Sequence, residues 1–149
     1  MKVILLFFAT LFSIVPSYSQ PGNASNTEQE IKKLSNDWMI ATMKKDEITL
    51  NKLVAPEFKL GGTNFGDDNP PLPRAIWMKN TLENLKIDSI NYIKMKIEII
   101  DNVAIVQSVF FWSVSFKGNS VIKDTGTIID TWLKRKEGWQ VVSRLLVDK

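Results

Sequence analysis

The chain has 149 residues, with 19 basic and 16 acidic side chains, and it contains neither cysteine nor histidine. A single domain is expected at this length. The lack of histidine excludes His-based acid–base chemistry, Ser-His-Asp triads and imidazole zinc sites, so any catalysis would rely on Asp, Glu, Lys, Tyr or Arg. The lysines are scattered, whereas a nucleic-acid-binding surface needs clustered Lys and Arg, so no nucleic-acid partner is expected.

The first nineteen residues have the layout of a secretory signal peptide, with one lysine, an apolar run from Val3 to Val15, then Pro16 and small polar residues. Ser17 and Ser19 fit the small-residue positions before a cut, which predicts cleavage between Ser19 and Gln20. A membrane anchor is the alternative, but the run is shorter than the about 20 residues that span a bilayer. We therefore predict a secreted or periplasmic protein with no stable membrane span after cleavage.

The first half of the remaining chain predicts three helices. Residues 20–27 are polar and predict a flexible tail, and the domain itself is expected over residues 28–149. The sequence "TEQE" at Thr27 is typical of a capping box that opens an amphipathic helix around Trp38. Asp46 can cap a second helix, and Pro73 suits the first position of a third. Between them, "EFKLGG" predicts a strand and residues 63–73 a loop, whose acidic residues lack the spacing of a calcium site.

The second half of the chain predicts four strands. From Asn91 the apolar residues alternate with a period of two. Turns at Asp101-Asn102, at Gly118-Asn119 and around Gly138 would separate the strands into an antiparallel meander. This order of elements predicts an α+β domain in which three helices cover one face of a strongly curved sheet.

Three motifs and their order resemble the nuclear transport factor 2-like, or SnoaL-like, superfamily, in a branch of secreted or cytosolic domains of unknown function. The stretch "EIKKLSNDWMIATMKKDEITLNKLVAPEFKL" is similar to the first two helices, "RAIWM" to the start of the third, and "DTWLKRKEGWQVVSR" to the closing hairpin. The resemblance covers about residues 28 to 147. It implies a cone-shaped, curved antiparallel sheet with the three helices on its concave face and a ligand cavity inside the cone.

The family includes isomerases, dehydratases, cyclases, binding proteins and oligomerisation domains, so its fold does not define a function. This chain departs from the enzymatic members in two places. The strand after helix 2 reads Leu60-Gly61-Gly62-Thr63 where steroid-isomerase-type relatives carry a carboxylate base, and Leu145 stands where many relatives have a histidine. Both differences remove a proton-transfer group, which favours binding over catalysis.

A row of polar residues predicts a binding site on the meander. With two-residue turns after the first two strands and a three-residue turn at Gly138, one face presents Lys96, Gln107, Asp130 and Arg144 side by side. Apolar residues, among them Trp132, Ile128 and Leu146, flank this row as in a small-molecule pocket. We predict that a ligand contacts Asp130, Arg144, Gln107 and Trp132, with Arg144 holding a carboxylate and Asp130 orienting it or acting as a base. No cofactor and no metal site is predicted.

The sequence leaves alternatives open. The opposite face of the predicted meander is the more apolar, so it could be the face that the helices cover. Asp130 and Arg144 would then be a cross-strand pair on the outer or dimer face, worth roughly 0.2–1 kcal/mol.

The favoured function is an exported homodimer that binds a small hydrophobic or carboxylate-bearing ligand. An isomerase-, dehydratase- or cyclase-type enzyme with Asp130 as base, or a structural interaction module, are the alternatives.

Overall fold

The computed structural model describes residues 21–63, 65–119 and 121–147, so the predicted signal peptide and its cleavage site lie outside the described residues. Helices α1, α2 and α3 span Pro21–Lys44, Glu47–Leu53 and Arg74–Lys79, and α3 continues as one π-helical turn over Asn80–Asn84. The strands, β1 to β6, span Val54–Gly62, Leu72–Pro73, Leu85–Ile100, Val103–Phe116, Ile122–Arg135 and Gly138–Val147. None of the described helices combines the length and hydropathy needed to cross a bilayer.

One curved, open sheet contains all six strands in the order β2-β1-β6-β5-β4-β3. Strands β3 to β6 form the predicted antiparallel meander. The strand predicted from "EFKLGG" is β1, and it pairs in parallel with β6, so the sheet is mixed rather than purely antiparallel. Gly62 permits this pairing, because its φ is +149° and a Cβ there would lie 2.1 Å from the carbonyl oxygen of Leu146. The α+β class and the helix-covered curved sheet are confirmed.

The helix starts were predicted with mixed success. Helix α1 is already formed at Pro21 and includes Thr27, so the helix start predicted at a capping box at Thr27 is wrong. Asp46 does cap α2, because its carboxylate accepts hydrogen bonds from the Thr49 hydroxyl and backbone N–H, at 2.7 and 3.1 Å. These two bonds lower the pKa of Asp46.

The register between β4 and β5 differs by one residue from the prediction. Val114 pairs with Ile122, because the turn takes one residue more than expected, with Lys117 and Gly118 both at positive φ. As a result Asp130 lies opposite Val106, whereas Gln107 lies opposite Ile129. Since successive residues of a strand point to opposite faces, Gln107 and Asp130 are on different faces and the predicted polar row is broken.

Two deviations cancel between β5 and β6. Arg135 pairs with Gly138, so the turn has two residues instead of the predicted three. A β-bulge then shifts the register between Thr131 and Trp132 by one residue. Beyond the bulge, Asp130 lies opposite Arg144, as predicted.

The core lies between the helices and the concave face of the sheet. Its centre is an aromatic cluster in which ring centroids are 5.2 to 5.9 Å apart, formed by Trp38, Phe58, Trp77 and Trp132. Edge-to-face and tilted contacts of this kind are favourable beyond the area that they bury. Trp38 and Trp139 are only 1% and 3% exposed.

Candidate functional site

A buried ion pair lies at the centre of the concave face. Asp130 is fully buried, and Arg144 donates to both of its carboxylate oxygens, from Nε at 2.7 Å and from Nη2 at 2.8 Å. Two parallel charge-assisted hydrogen bonds form the strongest common geometry between these groups. The guanidinium also stacks on Trp38 of α1, with its carbon 3.9 Å from the ring centroid. The alternative of an outer-face pair is therefore wrong, because the helices cover this pair.

Charge and burial act together on the groups around Arg144. Burial lowers the pKa of the Arg144 guanidinium, but the negative charge of Asp130 and its hydrogen bonds outweigh this effect and raise the pKa. Burial raises the pKa of the Tyr92 hydroxyl, while Arg144, with which this hydroxyl interacts, opposes the rise. Arg144 is therefore cationic and Tyr92 neutral near pH 7, and the ion pair carries no net charge.

A cavity of about 270 Å³ lies beside the ion pair, between α3 with its π-turn and the sheet. Twelve of its sixteen lining residues are apolar, and the polar exceptions are Thr42, Asn80, Thr81 and Arg144. Arg144 is the one charged residue among those that line it. A mainly apolar cavity with a few polar groups is the usual form of a small-molecule site.

Comparison with known proteins identifies the architecture. A TM-score of 0.72 relates the chain to an NTF2-like (nuclear transport factor 2-like) protein from Cytophaga hutchinsonii, at 10% identity over 82% of this chain and 98% of that one. The chain has the NTF2-like fold. An NTF2-like protein of unknown function in nutrient uptake from Rhodospirillum rubrum is similar at TM-score 0.70 and 12% identity, over 80% and 98% of the two chains. The association domain of C. elegans CaMKII follows at 0.64 and 13%, over 83% and 97%. No family model and no curated protein matches the sequence.

The NTF2-like fold brings only part of the predicted site together. Arg144 lines the cavity, with Ile128 and Leu146 beside it as predicted. Asp130 lies behind Arg144 and is not part of the lining. Trp132 is 0% exposed and packs edge-on against Trp38 in the core, so it is not placed to touch a ligand in the cavity. Gln107 is exposed on the convex face, and the register shift between β4 and β5 places Asp130 on the opposite face.

Sequence reasoning missed the cavity wall that α3 provides. Trp77, Asn80 and Thr81 all line the cavity. Their spacing of three and four residues is that of one helical face, which is the signal that could have found them. The same holds for Phe110 and Trp112, which alternate along β4 and face the cavity. These residues were missed because the sequence did not show which side of the meander the helices cover.

The geometry argues against Asp130 as a general base. Both of its oxygens accept hydrogen bonds from Arg144, and its side chain has no exposure to the cavity. A general base must reach the proton that it removes within hydrogen-bond distance or through one water molecule. In the described ranges no three acidic side chains lie close enough together to hold a metal ion. The arrangement is suited to binding an apolar molecule next to a fixed hydrogen-bond donor.

Proposed function

We propose that the cone cavity binds a small, mainly apolar ligand and that Arg144 is its polar anchor. The observation that carries this proposal is the cavity of about 270 Å³, whose lining is apolar except for three uncharged polar residues and Arg144. An engineered cavity of about 150 Å³ holds benzene. By simple scaling, this cavity suits a ligand of about eleven non-hydrogen atoms.

Pre-organisation supports the anchor role of Arg144. Its guanidinium is fixed by two hydrogen bonds to Asp130 and by the Trp38 ring, and 17% of its side chain remains exposed. A side chain that is already held in place loses little further conformational entropy when it binds. The donor is therefore positioned before the ligand arrives.

A thermal-shift experiment with apolar probes tests the cavity. Tetralin at ten times its dissociation constant should stabilise the protein by about 1.4 kcal/mol, which raises the melting temperature by a few degrees. Ile90→Trp, which fills part of the cavity, should remove the effect, because Ile90 lines it. Ile48→Trp is the matched control, since Ile48 is 84% exposed on α2 and does not line the cavity. The proposal is wrong if tetralin and similar hydrocarbons cause no shift, or if both variants respond like the unaltered protein.

We propose in addition that the protein is a homodimer that buries the convex face of the sheet. The helices cover only the concave face, while Leu145 on the other side is 42% exposed and has the half-buried Ile129 opposite it on β5. The association domain of CaMKII shares the fold, which supports self-association. Light scattering should give twice the chain mass for the protein and the single mass for Leu145→Glu. Ile48→Glu on α2, at a site 84% exposed, is the control and should stay dimeric. A monomeric parent protein contradicts this proposal.

We also propose that the chain is exported, on the strength of the apolar run from Val3 to Val15 and the small residues that follow it. Expression of the full chain in a bacterium, followed by fractionation and N-terminal sequencing, tests this. We expect the mature protein in the periplasm or medium, beginning at Gln20. An uncleaved chain in the cytoplasm would show that the segment is not a signal peptide.

A further inference from the structure

We infer that the polar group of the ligand is a neutral hydrogen-bond acceptor, such as a ketone or amide carbonyl, and not a carboxylate. This inference rests on the proposed function of the cavity, and it narrows the ligand class for the same site. It follows from two features of the Asp130–Arg144 pair. Asp130 accepts hydrogen bonds from two nitrogens of the guanidinium, and its negative charge balances the positive charge of Arg144.

Asp130 occupies one of the two edges of the Arg144 guanidinium that bind carboxylates. A guanidinium has five N–H donors, and its Nε and one Nη form one of the two forks that can hold a carboxylate with two bonds. Both of these nitrogens donate to Asp130. Trp38 covers one face of the planar guanidinium, with its ring centroid 3.9 Å from Cζ of Arg144. The Tyr92 hydroxyl also interacts with the guanidinium, so a ligand meets only the N–H groups that Asp130 and Tyr92 leave, and these suit one carbonyl oxygen.

Charge balance leads to the same conclusion. Because Asp130 already neutralises Arg144, a ligand carboxylate would add one net negative charge to the buried site. The ligand would be attracted by Arg144 and repelled by Asp130 at a distance only a few ångströms greater, so most of the Coulombic gain would be lost. No other charged residue is found among those that line the cavity. The free-energy cost of desolvating the carboxylate would then be uncompensated, whereas the cost of desolvating a neutral carbonyl is much smaller.

The other polar groups of the wall, on Thr42, Asn80 and Thr81, are uncharged and are therefore weaker donors than Arg144. The hydroxyl of Thr42 donates to the carbonyl oxygen of Trp38 at 2.8 Å. The side-chain oxygen of Asn80 accepts from the Asn84 amide at 3.1 Å. Arg144 is thus the strongest donor that the wall presents, and an acceptor placed anywhere else on it forgoes a charge-assisted hydrogen bond.

Four probes of equal size separate the possibilities: isopentylbenzene, benzylacetone, hydrocinnamamide and hydrocinnamate. Each has eleven non-hydrogen atoms, about the number that the cavity should hold. We expect benzylacetone and hydrocinnamamide to bind about tenfold more tightly than isopentylbenzene at pH 7, because they gain a hydrogen bond to a charged donor. Hydrocinnamate, which is ionised at this pH, should bind at least about tenfold more weakly than benzylacetone. Affinities would be measured by calorimetry on the protein that begins at Gln20.

The outcomes are distinct. If hydrocinnamate binds most tightly, or if isopentylbenzene binds as well as benzylacetone, the cavity binds ligands but the inferred ligand class is wrong. If none of the four binds, the proposed function fails, and the inference fails with it.

An isosteric substitution provides a second, independent test. Asp130→Asn removes the charge that opposes a carboxylate, so hydrocinnamate should gain at least about tenfold in affinity relative to benzylacetone. Asp88→Asn is the matched control, because Asp88 is exposed on β3 and pairs with Lys86. An unchanged ratio in Asp130→Asn would overturn the inference. If this variant does not fold, the ranking of the four probes on the unaltered protein decides the question.

Discussion

Removal of Arg144 should be among the most destabilising single changes in the protein. In Arg144→Met an apolar side chain is retained beside Trp38, but Asp130, which is 0% exposed, loses both of its hydrogen-bond donors. Breaking a buried pair in this way costs about 3–5 kcal/mol, because an uncompensated charge stays in the interior. The free energy of unfolding of a domain is about 5–15 kcal/mol, so a large fraction of the stability would be lost.

Removal of both charges should restore most of that loss. The double variant Asp130→Leu/Arg144→Met replaces the pair with apolar side chains, which is often neutral or stabilising. We expect it to lie within about 2 kcal/mol of the unaltered protein. Asp130→Leu alone should cost less than Arg144→Met, because Arg144 keeps 17% exposure and can remain hydrated from the cavity.

Urea unfolding followed by tryptophan fluorescence would measure all four proteins of this cycle. The free energies at zero denaturant give the coupling between the two positions. A cost below about 1 kcal/mol for Arg144→Met would refute the reasoning, because it would mean that Asp130 is solvated or otherwise paired. The same holds if the cost of the double variant equals the sum of the two single costs.

Three further predictions concern single residues. Burial raises the pKa of Tyr92 above its usual value of 10.0, and Tyr92 is the only tyrosine after Tyr18, so tyrosinate absorbance of the protein that begins at Gln20 should appear above pH 10. The unfolded chain ionises first, so stability should fall as the pH rises through and beyond 10, and Tyr92→Phe should reduce that fall in urea unfolding. Gly62→Ala should cost about 2–4 kcal/mol in thermal unfolding, because its Cβ would meet the Leu146 carbonyl, whereas Gly118→Ala, with no atom within 4 Å, should cost about 1–2 kcal/mol. Gln107→Ala should leave both stability and the affinity for benzylacetone unchanged within about 0.5 kcal/mol; weaker binding would contradict its position on the convex face.

The sequence was sufficient for the meander but not for the whole site, and Asp130 lies opposite Arg144 as predicted only because two deviations from the predicted register cancel. Alternation of apolar residues indicates which residues of one strand share a face, and it does so for Met95, Ile97 and Ile99 of β3, which all pack against the core. It does not define how the faces of neighbouring strands align, because that depends on single residues in the turns. One extra residue in the turn before β5 was enough to separate Gln107 from Asp130.

The cavity wall that α3 and its π-turn form was missed for a different reason. The wall formed by Trp77, Asn80 and Thr81 includes a π-helical turn that extends α3, and because such turns are rare the helical spacing alone did not lead to it. The parallel pairing of β1 with β6 joins segments far apart in the chain, and only the glycines at the end of β1 hinted at a close backbone approach. Local patterns therefore predicted the elements, and long-range contacts determined which side chains line the cavity.

The β-bulge between β5 and β6 places one extra residue, Val142, in β6, so the alternation of side chains between the two faces shifts by one residue along this strand. Before it, Trp139 and Val141 point into the core; after it, Arg144 and Leu146 point towards the cavity, although a regular alternation would have turned Ser143 and Leu145 inward. Bulges re-aim side chains in this way without breaking the sheet. The number of residues in a strand, and not only their identity, can thus change what a ligand meets. Insertions or deletions of one residue near Val142 offer NTF2-like proteins a route to new pockets behind an unchanged core.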